Sequence, residues 1–453
     1  MTTAAQALGQ YLELWRANAP LERPALLAEA SDKASRDLPA AIAAFRHDPQ
    51  DLRQCQADAM FAPDYGVNLG GVTMNADVAA SFHCGVPQLN SLLCVVANDS
   101  VHITCADRLP SGLEIYSLRD VPEKYMSDAS AMLGTDDSAA SLINSLLLTD
   151  GLYIRVAEGV CVEKPVQIVN IFNSTLPMLT PRRILVHACR GAQIKILLCD
   201  HSQTPATAHL NSQNVRIAAE EDARVELYDI EESSDATSRV WHLHATQDSR
   251  SALTVCTAFL HGGCTRNEYR IEVNGDDAET SISGLAVCSG CQIADNRATL
   301  IHRGHRCRSR QLFKNAMFDR SLGAFGGKII VEEGATATDA VQTNRNMLAS
   351  PEARMLTAPQ LEIYCDDVKC GHGATTGQLD ERALFYMQTR GVPREQAMMM
   401  LTQAFMADVV DNISFEVLRQ RLHVLVEKRL NGTAGGCDTC AATCRTAENK
   451  EEL

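Results

Sequence analysis

The sequence predicts a mainly β protein in which a solenoid of short stacked strands is held between helical ends. Three observations carry that expectation. Between Gly151 and Cys365, apolar residues alternate in short runs of roughly three or four, with turn residues roughly every six to ten. Aromatic residues make up only 5% of the chain, fewer than a sandwich core would use. Helical spacing flanks the strand region on both sides.

The elements follow in order. Over roughly the first 85 residues, Leu8, Leu12 and Trp15 recur at helical spacing, and Ala40 to Phe45 continues a helix-forming composition. Leu92–Ala97 and Val101–Cys105, joined at Asn98, read as a hairpin-like pair. Residues 121–148 return to helix and end at the Asp150-Gly151 turn. Leu152, Ile154 and Val156 then alternate up to Glu158-Gly159, followed by Val160 and Val162, and by Val166 and Ile168. Ile184, Val186 and Ala188 repeat the pattern before Arg190-Gly191 and Ile194, Ile196 and Leu198. Val215 and Ile217 repeat it again before Ala223, Val225 and Leu227. Units this small cannot bury an apolar face alone, so they must stack, and a β-helix is the simplest fit. Near the other end, Asp380 can cap a helix running to Thr389, with Gly391 as its stop. Pro393 opens a second helix with Met398, Leu401, Phe405 and Val409 on one face, and Met398 to Met400 read as core filling. Phe415, Leu418, Leu422, Leu425 and Val426 share one side of a third. The expected divisions are 1–90 (helical), 91–150 (mixed lead-in), 151–365 (β-helix), 366–430 (helical) and a flexible tail, 431–453.

Charge and hydropathy narrow the function. The chain carries 41 Lys+Arg against 56 Asp+Glu, so no basic excess is present to displace counterions from nucleic acid. Its longest apolar stretch, residues 397–410, contains Thr402, Gln403 and Asp408 and falls short of the ~18–20 residues of a bilayer span. The amino terminus lacks a basic region followed by an apolar one, so neither export nor membrane insertion is expected and the cytoplasm is the expected location. Of the 17 cysteines, Cys94, Cys105, Cys189, Cys199 and Cys256 sit within apolar alternation and read as small packing groups. Cys288 and Cys291 form a C-x-x-C away from any strand-to-helix junction and read as coincidence. Cys437, Cys440 and Cys444 offer three thiols, a metal or persulfide candidate one ligand short of a tetrahedral site.

Familiar catalytic motifs are missing. Gly323 to Ile329 is a poor phosphate loop, because Ile329 stands where a hydroxyl must reach magnesium. Gly371 to Gly377 is one residue too long for a dinucleotide fingerprint. No H-E-x-x-H and no G-x-S-x-G is present. A carbohydrate-active β-helix enzyme stays open as an alternative, since its acid and base would be far apart in sequence.

The most informative stretch is Pro359 to Asp380, PQLEIYCDDVKCGHGATTGQLD, followed by Leu384-Phe385-Tyr386 and Thr389-Arg390-Gly391. It closely resembles the signature of the SufB/SufD family, scaffold components for iron–sulfur cluster assembly. His302, Ser309 to Gln311, Lys314-Asn315, Gly327 to Ile329 and Gln342 to Asn344 fall in the family's order upstream, so the resemblance covers roughly residues 151–430. His305 departs from it, standing where the family usually has proline. SufB-like proteins carry a cysteine after the glutamine that corresponds to Gln342, and a His-Glu in the later loop. Here the sequence reads Gln342-Thr343-Asn344 and His372-Gly373, which points to the SufD side.

The resemblance implies a right-handed parallel β-helix and a non-catalytic scaffold role in a complex with a SufB-like paralogue and a SufC-like ABC ATPase. A SufB-like homo-oligomer is the other alternative, and a homodimer of the isolated chain is left open. By the same resemblance His372 stands at the SufB contact, with Cys370 as a supporting ligand to a transient iron–sulfur cluster shared with SufB. Taken alone, His372 reads equally as a turn or interface residue whose flanking glycines let the backbone turn closely. Leu384, Phe385, Tyr386, Arg390 and Gly391 match the region that docks the ATPase. Whether a flavin touches this chain is left open.

Overall fold

The computed structural model describes residues 3–18, 23–47, 60–61, 63–69, 89–134 and 138–432. Helices α1 (Ala4–Asn18) and α2 (Ala25–His47) precede the hairpin β1 (Leu92–Ala97) and β2 (Ser100–Ile103), whose tight turn places Asn98 at φ 52°. Then come β3 (Leu113–Ser117), α3 (Glu123–Leu133), α4 (Ala139–Leu147), β4 (Leu152–Val156) and β5 (Val166–Phe172). From β6 (Met178–Ala188) to β19 (Val368–Gly377) the chain is all strand, and three helices close it: α5 (Glu381–Thr389), α6 (Arg394–Val410) and α7 (Glu416–Leu430).

From β4 onward, even and odd strands part into two sheets, and each strand pairs in parallel with the strand two ahead; β3 completes the even sheet of nine strands, and β1 and β2 the odd sheet of ten. This is a parallel β-solenoid. Corner residues stack coil on coil. Gly159, Gly191, Asp222, Arg250, Asp277, Arg306 and Ala337 all have positive φ, and the N–H of Gly191, Asp222, Arg250, Asp277, Arg306 and Ala337 donates to the carbonyl of the next coil. Arg250 reaches back 28 residues to Asp222 and Arg306 reaches back 29 to Asp277, whereas Gln342 and Gln311 are 31 apart. Coil length therefore varies, which hides a strict period from the sequence.

The strands are longer than their apolar alternation suggests. β8 (His209–Ala219) is 11 residues, only the last of which alternate visibly. Its other half, His209 to Asn214, is polar apart from Leu210 yet buried: Asn211 and Gln213 bond Asp200 and Asn170 inside the coils, while Ser212 and Asn214 meet Asn144 and Ser141 of α4. Asn170 Nδ2 donates to Asp200 Oδ1 at 2.6 Å and to Gln213 Oε1 at 2.7 Å. Arg239, 1% exposed at the side chain, meets Asp200 at 3.4 Å and both Asp229 and Glu231 at 2.5 Å. Burial raises the pKa of the Asp229 and Glu231 carboxyls against the pull of Arg239. The few aromatics stack in the same interior: Trp241 to Tyr269 at 5.3 Å, Tyr269 to Phe313 at 5.7 Å and Phe313 to Phe325 at 4.9 Å.

Two boundaries move. β1 pairs in parallel with β5, so the stack begins inside the lead-in. β19 pairs with β17 (Thr338–Leu348), so it runs past residue 365 to Gly377, where short polar and glycine residues had read as loop. Helices cover the outer faces. Leu142 and Leu146 of α4 pack with α1 and α2 onto Leu179, Leu210 and Val240, while α6 and α7 lie over Tyr228, Cys256, Leu285 and Ala316 of the odd strands. Asp380 caps α5 through the N–H groups of Arg382 and Ala383, and Gly391 turns at φ 88°. On α6 the buried face is Ala397, Thr402, Met406, Val409 and Val410, rotated from the expected one. Met398 and Met399 are half-buried and Met400 is 48% exposed, so the methionine run borders the core without filling it. The buried face of α7, Leu418, Leu422, Leu425 and Val426, is the expected one. Cys94, Cys105, Cys189, Cys199 and Cys256 are all buried.

Two family-motif residues turn out to be structural. Lys314, 3% exposed, donates to the Phe405 carbonyl at 2.7 Å and pairs with Asp408, pinning α6 to the coils. His302 is buried, with Nε2 at 2.9 Å from Ser309 Oγ, and burial lowers its pKa from 6.5 to about 4. An Arg239→Met substitution strands three buried carboxylates and is expected to cost about 3–5 kcal/mol, read as a fall in unfolding midpoint. Below pH 6.5 the unfolded chain protonates His302 while the folded chain does not, so stability is lost as pH falls toward 4. That loss is of order 3 kcal/mol, and His302→Gln should remove it, visible as a flatter midpoint against pH.

Candidate functional site at the open end of the solenoid

The last coil has no successor. β18 (Arg354–Ile363) pairs with β16 (Leu322–Val331), and β19 with β17, each leaving one edge unpaired among the described residues. Side chains at positions that earlier coils bury are therefore exposed here: Leu356, opposite Ala324, is 44% exposed and Ile363, opposite Val331, 41%, and Tyr364 just beyond them is 63% exposed.

His372 and Cys370 belong to this mouth. Cys370 lies opposite Ala340 and His372 opposite Gln342, and both of those partners are 0% exposed on the inner side of β17. Strand alternation puts Cys370 and His372 on that same inner side. Gln342 Nε2 donates to Gln311 Oε1 at 3.0 Å, while Gln342 Oε1 has no hydrogen-bond partner. His372 thus extends a column of interior amides and is exposed only because the stack ends. Cys370 is half-buried and packs with Cys365, Leu361 and Val368 against Ile329 and Val331. Burial raises its pKa.

The glycines act differently from expectation. Gly371 and Gly373 lie in extended strand, without positive φ, and a Cβ added at either would meet nothing within 4 Å. They make no turn; they keep the edge of the last strand bare, which suits close approach of another backbone.

On α5 the expected docking set divides. Leu384 is 1% exposed and anchors the helix, whereas Phe385 and Tyr386 are 67% and 59% exposed. Arg390 lies over the Tyr386 ring at 5.2 Å, and Gly391 serves the turn. Cys437, Cys440 and Cys444 lie outside the described residues. Cys288 is buried, with its thiol pushed up to about 12 by burial, while Cys291 is exposed.

One imidazole and one thiol at an open mouth, with Cys365 packed beside the thiol, are donors of the soft and borderline kind that iron–sulfur clusters accept. Among the described residues, the three metal-type donors that do converge, His187, Cys189 and Glu220, lie far from here in sequence. Sequence reading missed that group because Cys189 looked like packing and Glu220 lies a coil away, 33 residues from His187.

The protein is thus an open-ended parallel solenoid with a thiol and an imidazole at its mouth. The profile of the SUF system FeS cluster assembly SufBD core domain matches residues 171–405, and that of the SufBD protein N-terminal region matches residues 6–168. The chain belongs to the SufBD family of iron–sulfur cluster assembly proteins, on its SufD side. It is 37% identical to the iron–sulfur cluster assembly protein SufD of Escherichia coli over 183 residues, a match spanning 39% of this chain and 43% of that protein. It is 26% identical to SufD of Bacillus subtilis over 313 residues, 69% of this chain and 71% of that one. A SufBD family protein of Synechocystis is 25% identical over 370 residues, 79% of this chain and 82% of that one. No described helix is long and apolar enough to cross a membrane.

Because a Cβ at Gly373 meets nothing, Gly373→Ala should leave the melting temperature of the isolated chain within about 2 °C of its parent, measured by thermal unfolding. A larger fall would mean that the strand edge is internally constrained.

Proposed function

We propose that this chain is the non-catalytic scaffold subunit of a cytoplasmic cluster-assembly complex, joined at its open end to a SufB-like paralogue and through α5 and α6 to a SufC-like ABC ATPase. The observation that carries the reading is the unfinished last coil. It offers unpaired strand edges, exposed apolar side chains and bare glycine backbone on either side of His372. A second solenoid end would satisfy all three at once by continuing the sheets and covering Ile363 and Tyr364. His372 and Cys370 would then lie inside the joint, where the iron and sulfide cargo needs soft donors from both subunits. On α5, which begins four residues after the end of β19, Phe385 and Tyr386 are both exposed and Arg390 lies over the Tyr386 ring, residue types enriched in protein interfaces. Lys314 holds α6 firmly to the coils, so movement of a docked ATPase would be transmitted to the solenoid.

His372→Ala should leave the chain folded and the complex assembled, yet lower iron and sulfide per complex several-fold. Undiminished cluster content in such a complex would refute the assignment of His372. Replacing Phe385 and Tyr386 together by aspartate should weaken capture of the ATPase by about 2 kcal/mol or more without disturbing the paralogue contact. Co-purification of the three subunits measures both contacts.

A further inference from the structure

A second cluster of chemical groups lies outside the open end, at the far side of the stack. His187 is the penultimate residue of β6, Cys189 directly follows that strand, and Glu220 directly follows β8 in the next coil. Their donor atoms all lie within 4.8 Å of one another. We propose that His187, Cys189 and Glu220 bind a borderline divalent transition-metal ion of the zinc type, with one coordination position left open.

The donor set suits such an ion: an imidazole, a thiolate and a carboxylate are the mix that zinc and its neighbours accept. The surroundings hold each donor in place. His187 Nε2 faces Glu220 Oε1 at 2.8 Å, leaving the other ring nitrogen, Nδ1, to Tyr153 Oη at 3.3 Å and Asp128 Oδ2 at 3.7 Å. A carboxylate or hydroxyl behind the ring is the arrangement that orients a metal-binding histidine. Glu220 Oε2 accepts from the Arg190 N–H at 2.9 Å. Cys189 is 6% exposed, while the side chain of Glu220 is 41% exposed and can swing to admit an ion. An open surface cavity of about 450 Å³ shares Glu220 and Arg190 as part of its wall, which provides a way in.

The charge balance also favours a cation. Asp128, Glu158 and Glu220 bear on Cys189 against one guanidinium, Arg155. Arg155 is itself engaged, 3.4 Å from Glu114 and over the Tyr125 ring at 4.7 Å. The Arg190 side chain pairs with Glu221 at 3.1 Å. On binding, the Cys189 thiol proton leaves to solvent as the sulfur–metal bond forms. The site stabilises the chain by tying β6 to β8 under the edge of α3, and is independent of His372.

The full-length chain is used with Cys437→Ser, Cys440→Ser and Cys444→Ser, so that the tail thiols cannot contribute. Cobalt(II) added to the metal-free chain should bind at one equivalent with a thiolate-to-metal charge-transfer band, and zinc should displace it. Cys189→Ser, nearly isosteric, should abolish the band and weaken binding at least about 10-fold, and Glu220→Gln should weaken binding by a similar factor while keeping the band. Cys199→Ser and His372→Ala should change neither. Absence of stoichiometric uptake by the folded chain, or uptake with an unchanged band in Cys189→Ser, would overturn the proposal and leave a hydrogen-bonded His187–Glu220 pair beside a packing thiol.

Discussion

Each coil of this protein depends on the next. A single coil exposes one row of backbone donors and acceptors on each strand and half of an inner face, and only a neighbouring coil can satisfy both. The antiparallel strands β2 and β3 end the stack on one side. On the other side, among the described residues, no strand pairs with the outer edges of β18 and β19. The same requirement that builds the core therefore leaves one unsatisfied surface, and that surface carries His372 and Cys370.

The interior is costly to build. Half of it is apolar, but the other half is a lattice of amides and charges around Arg239, with Asp200, Asp229 and Glu231 all within ion-pair distance. Such a lattice adds less net stability than an apolar core of the same volume, because each group gives up water for its bonds. What it contributes is register: a coil slipped by one residue would break several buried bonds at once. The interior column from Gln311 through Gln342 to His372 belongs to the same design, continued into the open mouth.

The motif residues that signal the family divide by physical role. His302 and Lys314 are buried and serve the fold, one against Ser309 and the other clamping α6. His372 is exposed at an inward-facing position, an arrangement that has no use in a closed core. Leu384 and Phe385 are neighbours in sequence and opposites in environment, one an anchor and one an exposed ring. Membership in the family accounts for the set, while burial sorts scaffold from surface. With that membership established, the carbohydrate-active alternative has no observation to support it.

The sequence by itself determined the solenoid class, the helical ends, the caps at Asp380 and Gly391 and the identity of the signature loop, because these rest on local periodicity and short-range bonds. It underestimated strand length, since polar residues that are buried by pairing look like solvent-facing loop. It ended the core too early, at residue 365, because Gly371 and Gly373 in an extended edge strand look like a turn. Only the tertiary structure decided that His372 faces inward at an open mouth, that α6 turns a different face to the coils, and that His187 and Cys189 meet Glu220. The first and last of those relations join residues about one coil apart, where stacking of coils of varying length sets which residues coincide, and the second joins residues some 91–94 apart.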